Sequence, residues 1–231
     1  FLAPDRHPVW KQQLLAGRIE PETAAAVGRV LAVLHTASSA APGLGRNFDS
    51  GANFHALRLE PYLLATARVH PPLAPALERL AARTAATRVA LVHGDVSPKN
   101  ILLGPRGPVL LDAECAWWGD PAFDLAFCLN HLLLKCLWNP AAAPACLACY
   151  DALAATYLQG VTWEAPTAVE QRAAALLPGL LLARVDGKSP VEYLTTDTQR
   201  ETVRRVARAL LRQPVTRLAA VGASWRREIE R

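Results

Sequence analysis

Apolar positions recur with a helical period along most of the chain. Pro21 suits a first helical turn, and Val27, Val30, Leu31 and Leu34 then share one face until the pattern stops near His35-Thr36. Residues 57–67 and 73–85 predict two more helices, separated by Pro71-Pro72. Helical patterns return over 121–137, 141–158, 168–184 and 198–211. Between these two groups the period changes. Residues 89–92 and 109–111 are short, β-branched or apolar runs bounded by Gly, Pro and Asp, and they predict two buried strands. No repeat and no low-complexity linker interrupts the chain. The expected fold class is α+β, mostly α-helical, with a small β element near the middle.

Composition narrows this picture. Hydrophobic residues make up 52% of the 231 positions and charged residues 19%, which excludes a disordered chain. No 18 consecutive residues are apolar, so a membrane span is not expected; the run 176–183 is itself broken by Pro178 and Gly179. The opening Phe1-Leu2-Ala3-Pro4-Asp5-Arg6 lacks the basic and apolar regions of a signal peptide. Methionine is absent, so Phe1 is read as a position downstream of a translational start. Cys115, Cys128, Cys136, Cys146 and Cys149 lie among Ala, Leu and Trp, as buried reduced thiols of a cytoplasmic protein would. Cys146-Leu-Ala-Cys149 has zinc-like spacing but no second ligand pair at the right distance.

Charge is uneven. The net +5 is concentrated after residue 199, where nine Arg face three Glu. Arg204, Arg208 and Arg212 recur every fourth residue, and Glu201 is placed to pair with Arg205, so this reads as a solvated helix face. No aromatic precedes Trp225 in that segment, which argues against nucleic-acid stacking.

The polar residues that carry chemistry sit around the two strand-like runs. The first is followed by His93-Gly94-Asp95-Val96-Ser97-Pro98-Lys99-Asn100, the second by Asp112-Ala113-Glu114 and then Gly119-Asp120-Pro121-Ala122-Phe123-Asp124-Leu125. Acids and amides at strand ends face a cleft while the sheet holds their backbones. Asp95 and Asn100 lie at opposite ends of one loop, and Asp112 reaches the same site from the neighbouring strand. Such a set suits phosphoryl transfer from a nucleotide: a carboxylate orients the acceptor hydroxyl, while an amide and a second carboxylate hold Mg²⁺. Asp120 before Pro121 also reads as a helix start, and Trp117-Trp118 as packing beside the site.

This run resembles the catalytic loop and metal-binding segment of the protein-kinase-like superfamily, H-x-D-x-x-x-x-N followed by an Asp. Gly94 at the second position and Asp112-Ala113-Glu114 in place of Asp-Phe-Gly are similar to the aminoglycoside phosphotransferase and choline kinase branch. The resemblance implies Asp95 as catalytic base and Asn100, Asp112 and Glu114 as Mg²⁺ ligands. It implies Leu102 and Leu111 in the floor of an adenine pocket, Lys99 near the transferred phosphate, His93 as a brace and Asp124 as the anchor of the loop backbone. The implied cofactors are ATP and Mg²⁺, the partner a small-molecule hydroxyl acceptor. Residues 1–231 then correspond to the C-terminal lobe of the kinase-like fold.

The chain departs from that pattern in one respect. No Gly-rich phosphate loop and no strand lysine are present, so an N-terminal nucleotide lobe is expected to be absent from this sequence. Only twelve positions separate Asp112 from Asp124, which leaves no room for a long activation segment and disfavours peptide acceptors. Residues 184–190 are the most polar interruption among the later helices and the expected acceptor side. Two rivals stand beside a small-molecule kinase: a non-catalytic nucleotide-binding or scaffolding module of the same fold, and a two-metal phosphoesterase, which wants more His near the acids than His93 alone.

Overall fold

A computed structural model describes residues 2–3 and 5–230. The chain opens with α1 (Trp10–Leu15) and α2 (Pro21–Ser39). A short α3 (Gly51–Phe54) runs through a π-helical stretch (His55–Leu64) into α4 (Ala65–Val69), and α5 (Ala74–Ala86) follows. Four strands come next: β1 (Ala90–Val92), β2 (Ile101–Gly104), β3 (Gly107–Leu110) and β4 (Trp117–Gly119). The rest is helical: α6 (Ala122–Trp138), α7 (Ala143–Gln159), α8 (Pro166–Asp186), α9 (Asp197–Arg212) and α10 (Leu218–Ile229). The fold is thus predominantly α with two small antiparallel sheets.

The centre of the molecule is α6. Every residue from Ala122 to Leu137 is buried, because α7 and α8 pack along it and α2 and α10 close the remaining sides. A helix covered on all faces can be apolar all round, and this one nearly is. Its exceptions are therefore costly: Asp124, Asn130, His131 and Lys135 are all buried with it. The closest helix pairing is α2 on α7, where a Cβ on Gly28 would stand 2.6 Å from the Leu153 carbonyl oxygen. Only glycine lets the two backbones approach so near. In α9, Thr202, Val203, Val206, Ala207, Leu210 and Leu211 are buried and the arginines line the other side. A capping box starts this helix: Gln199 N donates to Thr196 Oγ1, and Thr196 N donates to Gln199 Oε1, both at 3.2 Å.

One 20-residue helical stretch, Pro140–Gln159, is long and apolar enough to cross a membrane by length and composition. In this fold Cys146, Cys149, Tyr150, Leu153 and Tyr157 on it are buried, and it packs against α2 and α6. All five cysteines are buried and free.

Two sequence expectations need correction here. The runs at 89–92 and 109–111 are not neighbouring buried strands. β1 pairs with β4, Ala90 opposite Gly119 and Val92 opposite Trp117. β3 pairs with β2, Ile101 opposite Leu110 and Gly104 opposite Gly107. The second hairpin is only half-buried along β3, although α1 and α2 touch it, and Leu111 beyond it is 39% exposed. Val9 forms a single bridge to Leu102 along its edge. In the arginine-rich segment, Glu201 pairs with Arg204 and Arg208, not with Arg205, which reaches Glu228 on α10 at 2.6 Å.

Candidate active site

The loop from His93 to Asn100 is fixed from below by one buried carboxylate. Asp124, in the first turn of α6 and 0% exposed, accepts from His93 N at 2.7 Å with Oδ2 and from Gly94 N at 2.8 Å with Oδ1. Its Oδ2 also faces His35 Nε2 at 3.1 Å, and His35 Nδ1 lies 2.8 Å from Tyr157 Oη. The loop is therefore tied through one side chain to α2, α6 and α7. Gly94 has φ +81°, and a Cβ there would meet the Cys115 carbonyl oxygen at 2.6 Å, so glycine is required twice over. His93 braces the turn through Nδ1, which accepts from Asp95 N at 3.2 Å.

Asp95 itself is buried at the wall of a cavity of about 340 Å³. Arg58 holds it: Nη2 lies 3.1 Å from Asp95 Oδ2 while Nε donates to the Gly94 carbonyl at 2.5 Å. Lys99, largely exposed, approaches the same carboxylate oxygen at 3.5 Å. Arg58 has no signal in the sequence motif, since it comes from the π-helical stretch 37 positions upstream of Asp95. A π-turn widens the helix locally and often marks a functional site, and here it carries the loop's main cationic partner.

Asn100 is buried, and its Nδ2 donates to the Asp95 carbonyl at 3.2 Å, which leaves its Oδ1 directed elsewhere. Leu111 N donates to the Asn100 carbonyl at 2.8 Å, so the β2–β3 hairpin brings Asp112 to within one residue of Asn100's cross-strand partner. Asp112 has φ +64°, a left-handed conformation that Asp tolerates better than most residues. Such an off-pattern backbone persists where surrounding structure holds it, frequently at functional sites. Asp112 and Glu114 are exposed, and neither carboxylate has a hydrogen-bond or ion-pair partner among the described residues. Glu114 lines the cavity with Asp95; Asp112, Leu102 and Leu111 do not line it.

Among the described residues no three His, Cys, Asp or Glu side chains cluster closely enough to cage a metal ion. The donor set that is present, one amide oxygen and two unpartnered carboxylates, consists of hard oxygens and fits Mg²⁺, which keeps several waters and asks for few protein ligands.

Asp120 is more than a helix cap. It is 1% exposed; Oδ1 accepts from Ala122 N at 3.0 Å, and both oxygens accept from Arg172 Nε at 3.1 Å. Burial pushes its carboxyl above the usual range, with Arg172 opposing. Trp117 is buried and stacks on Phe54 with ring centres 4.3 Å apart. Of residues 184–190, Arg184, Ser189 and Pro190 line the Asp95 cavity, while Asp186 pairs with Arg204 and Lys188 with Glu60. A larger hollow of about 490 Å³ between α5, α8 and α9 has no carboxylate in its wall.

A helical body that presents a His-Gly-Asp loop, an amide five residues further on and free carboxylates after the next hairpin has the parts of a phosphotransferase. Residues 8–135, more than half of the chain, match the phosphotransferase enzyme family, and the chain belongs to that family. It is also similar to a Klebsiella pneumoniae protein described as "Probable ketoamine kinase in tonB 3'region", with 45% identity over 42 residues. That match covers 18% of this chain, and the chain spans only 33% of the length of that relative.

Proposed function

We propose that the chain is the C-terminal lobe of an ATP-dependent kinase that transfers the γ-phosphoryl group to a hydroxyl of a small molecule. The observation that carries this reading is Asp95: a buried carboxylate at the wall of a cavity, clamped by Arg58 on a loop that Asp124 pins to the core. In this reading the acceptor occupies the cavity. Asp95 accepts the hydroxyl proton as the acceptor oxygen bonds to phosphorus and the bond to the leaving ADP oxygen breaks. Arg58 sets the direction of the carboxylate, and Lys99 at the mouth meets the transferred group. Asn100, Asp112 and Glu114 hold Mg²⁺, which when bound neutralises phosphate charge. Leu102 and Leu111 present an apolar shelf to the adenine, and a further lobe outside residues 1–231 covers the nucleotide from above.

The test is ADP release by the full-length polypeptide that carries these residues, with and without Mg²⁺, across a panel of hydroxylated small molecules. Acceptor-dependent release that requires Mg²⁺ and disappears in Asp95→Asn supports the reading. Nucleotide binding without transfer to any acceptor points instead to a non-catalytic module.

A further inference from the structure

The end of the cavity away from the loop has an electrostatic imbalance. Lys135 on α6 is 3% exposed and lines the cavity, yet its ammonium has no hydrogen-bond acceptor among the described residues. It packs on two ring faces, Tyr193 at 4.6 Å and Trp138 at 5.4 Å, and Glu192 and Cys146 act on it electrostatically without an ion pair. Arg184, on the same cavity, donates through Nη1 to Tyr62 Oη at 3.0 Å and to the Ser189 carbonyl at 2.6 Å; among the described residues its Nε is unpaired and it has no ion pair, although it acts on the Glu192 carboxylate electrostatically. Of the three carboxylates on the cavity wall, Glu192 is engaged by Lys11 at 2.7 Å and Asp95 by Arg58 and Lys99, while Glu114, unpartnered among the described residues, follows the β2–β3 hairpin and has no ion pair with Lys135 or Arg184. His131, one turn before Lys135, lines the same cavity and is buried with its Nε2 unpartnered among the described residues. Burial pushes the pKa of the Lys135 ammonium below its usual range, and beside it the half-buried Arg184 lacks an ion-pair partner; an anion bound between them would stabilise both charges.

We propose that the acceptor is an anionic polyol: a small hydroxylated compound whose carboxylate or phosphate ester sits between Lys135 and Arg184 while a hydroxyl meets Asp95. The hydroxyl end rests on the phosphoryl-transfer reading above; the anion end does not. Burial and the neighbouring Arg184, Lys135, Lys99 and Lys11 push the His131 imidazole well below its usual pKa, which keeps it neutral and able to hydrogen-bond an acceptor oxygen without adding charge. The same field disfavours an amino sugar or amino alcohol, whose ammonium would face two cations and no free carboxylate at that end.

Four probes on one six-carbon polyol chain separate the possibilities: gluconate, glucitol 6-phosphate, glucitol and 1-amino-1-deoxyglucitol. Each is titrated calorimetrically into the full-length polypeptide without nucleotide, and each is offered with Mg²⁺-ATP while ADP release is followed. At least one anionic probe is expected to bind about tenfold or more tighter than glucitol and the amine, the yield of one charge-assisted contact. The tighter of the two anions names the group. Lys135→Met and Arg184→Gln should each abolish that preference, and Lys135→Arg should keep it; the Arg184 variant guards against misfolding of the buried Lys135 variant. Equal binding of amine and anions, no binding by any probe, or a preference unchanged in both variants overturns the proposal. Anion preference without ADP release from any probe upholds the anion site and fails the transfer reading. ADP release with only the amine or glucitol does the reverse.

Discussion

Asp95 and Asp112 differ in setting, and substitution should separate their roles. Asp95 is buried under Arg58 at the cavity proposed for the acceptor; if it is the base, Asp95→Asn is expected to lower kcat by about 10²–10⁴-fold with nucleotide affinity nearly unchanged. Asp112 is exposed, lies off that cavity and has no partner among the described residues, so on the proposed metal-binding role Asp112→Asn should instead raise the apparent Kd for Mg²⁺-nucleotide. Steady-state kinetics beside nucleotide titration distinguish the two. Asp124 should behave differently again. Its oxygens satisfy two backbone amides and face a histidine in full burial, so Asp124→Ala strands three groups at once. A loss of about 3–5 kcal/mol is expected in urea denaturation, as for breaking a buried ionic network. The motif singles out Asp95, Asn100, Asp112 and Glu114 as candidates because their spacing along the chain is short and fixed. Arg58 and His35 were not legible: each joins the site only through folding, from helices whose local sequence shows ordinary periodicity. Lys135 left a faint mark, as one cation in the otherwise apolar run of α6.

At the scale of elements, period and length decided what could be read. The long helices α2, α6, α7, α8 and α9 all lie where the 3.6-residue pattern predicts them, with ends shifted by a few residues. The short α1 and the C-terminal α10 were missed. So were β2 and β4, since three or four residues are too few to display alternation, and β4 is held by its pairing with β1. Proline at position 178 does not stop α8, because the helix is buried on both sides of it. The joint between α8 and α9 offers a pH test. Burial raises the Asp186 carboxyl, but hydrogen bonds from Arg204 and His70 outweigh it and leave the pKa below the usual 3.8. A carboxylate lowered on folding contributes stability that is complete above its unfolded pKa and is lost as pH falls through the folded one. Arg204→Met is therefore expected to lose about 1–2 kcal/mol at pH 7, and its deficit against the parent should shrink steadily below about pH 4. Chemical denaturation at a series of pH values checks this.

For the whole molecule, the contrast between its two sides matters most. The helical body around α6 buries its apolar residues thoroughly, whereas the β2–β3 hairpin is half-exposed, with Leu111 39% exposed at its end. On the reading proposed above, that hairpin is a shelf whose cover lies outside residues 1–231. Residues 1–231 expressed alone are then expected to bind Mg²⁺-ATP at least tenfold more weakly than the full-length polypeptide, because the donors above the phosphates are missing. Parallel calorimetric titrations provide the comparison, and equal affinity would count against a second lobe.

The pinned loop has one more consequence, in the time its amide protons take to trade with solvent. His93 and Gly94 belong to no strand or helix, and residues in such segments ordinarily open at little free-energy cost and exchange early. Here both N–H groups end on a carboxylate with no solvent exposure, itself locked between three helices. Local fraying cannot free them while α2, α6 and α7 stay packed. In deuterium these two amides should therefore exchange as slowly as the interior of α6, at a rate that follows global unfolding, and Asp124→Asn should release them selectively.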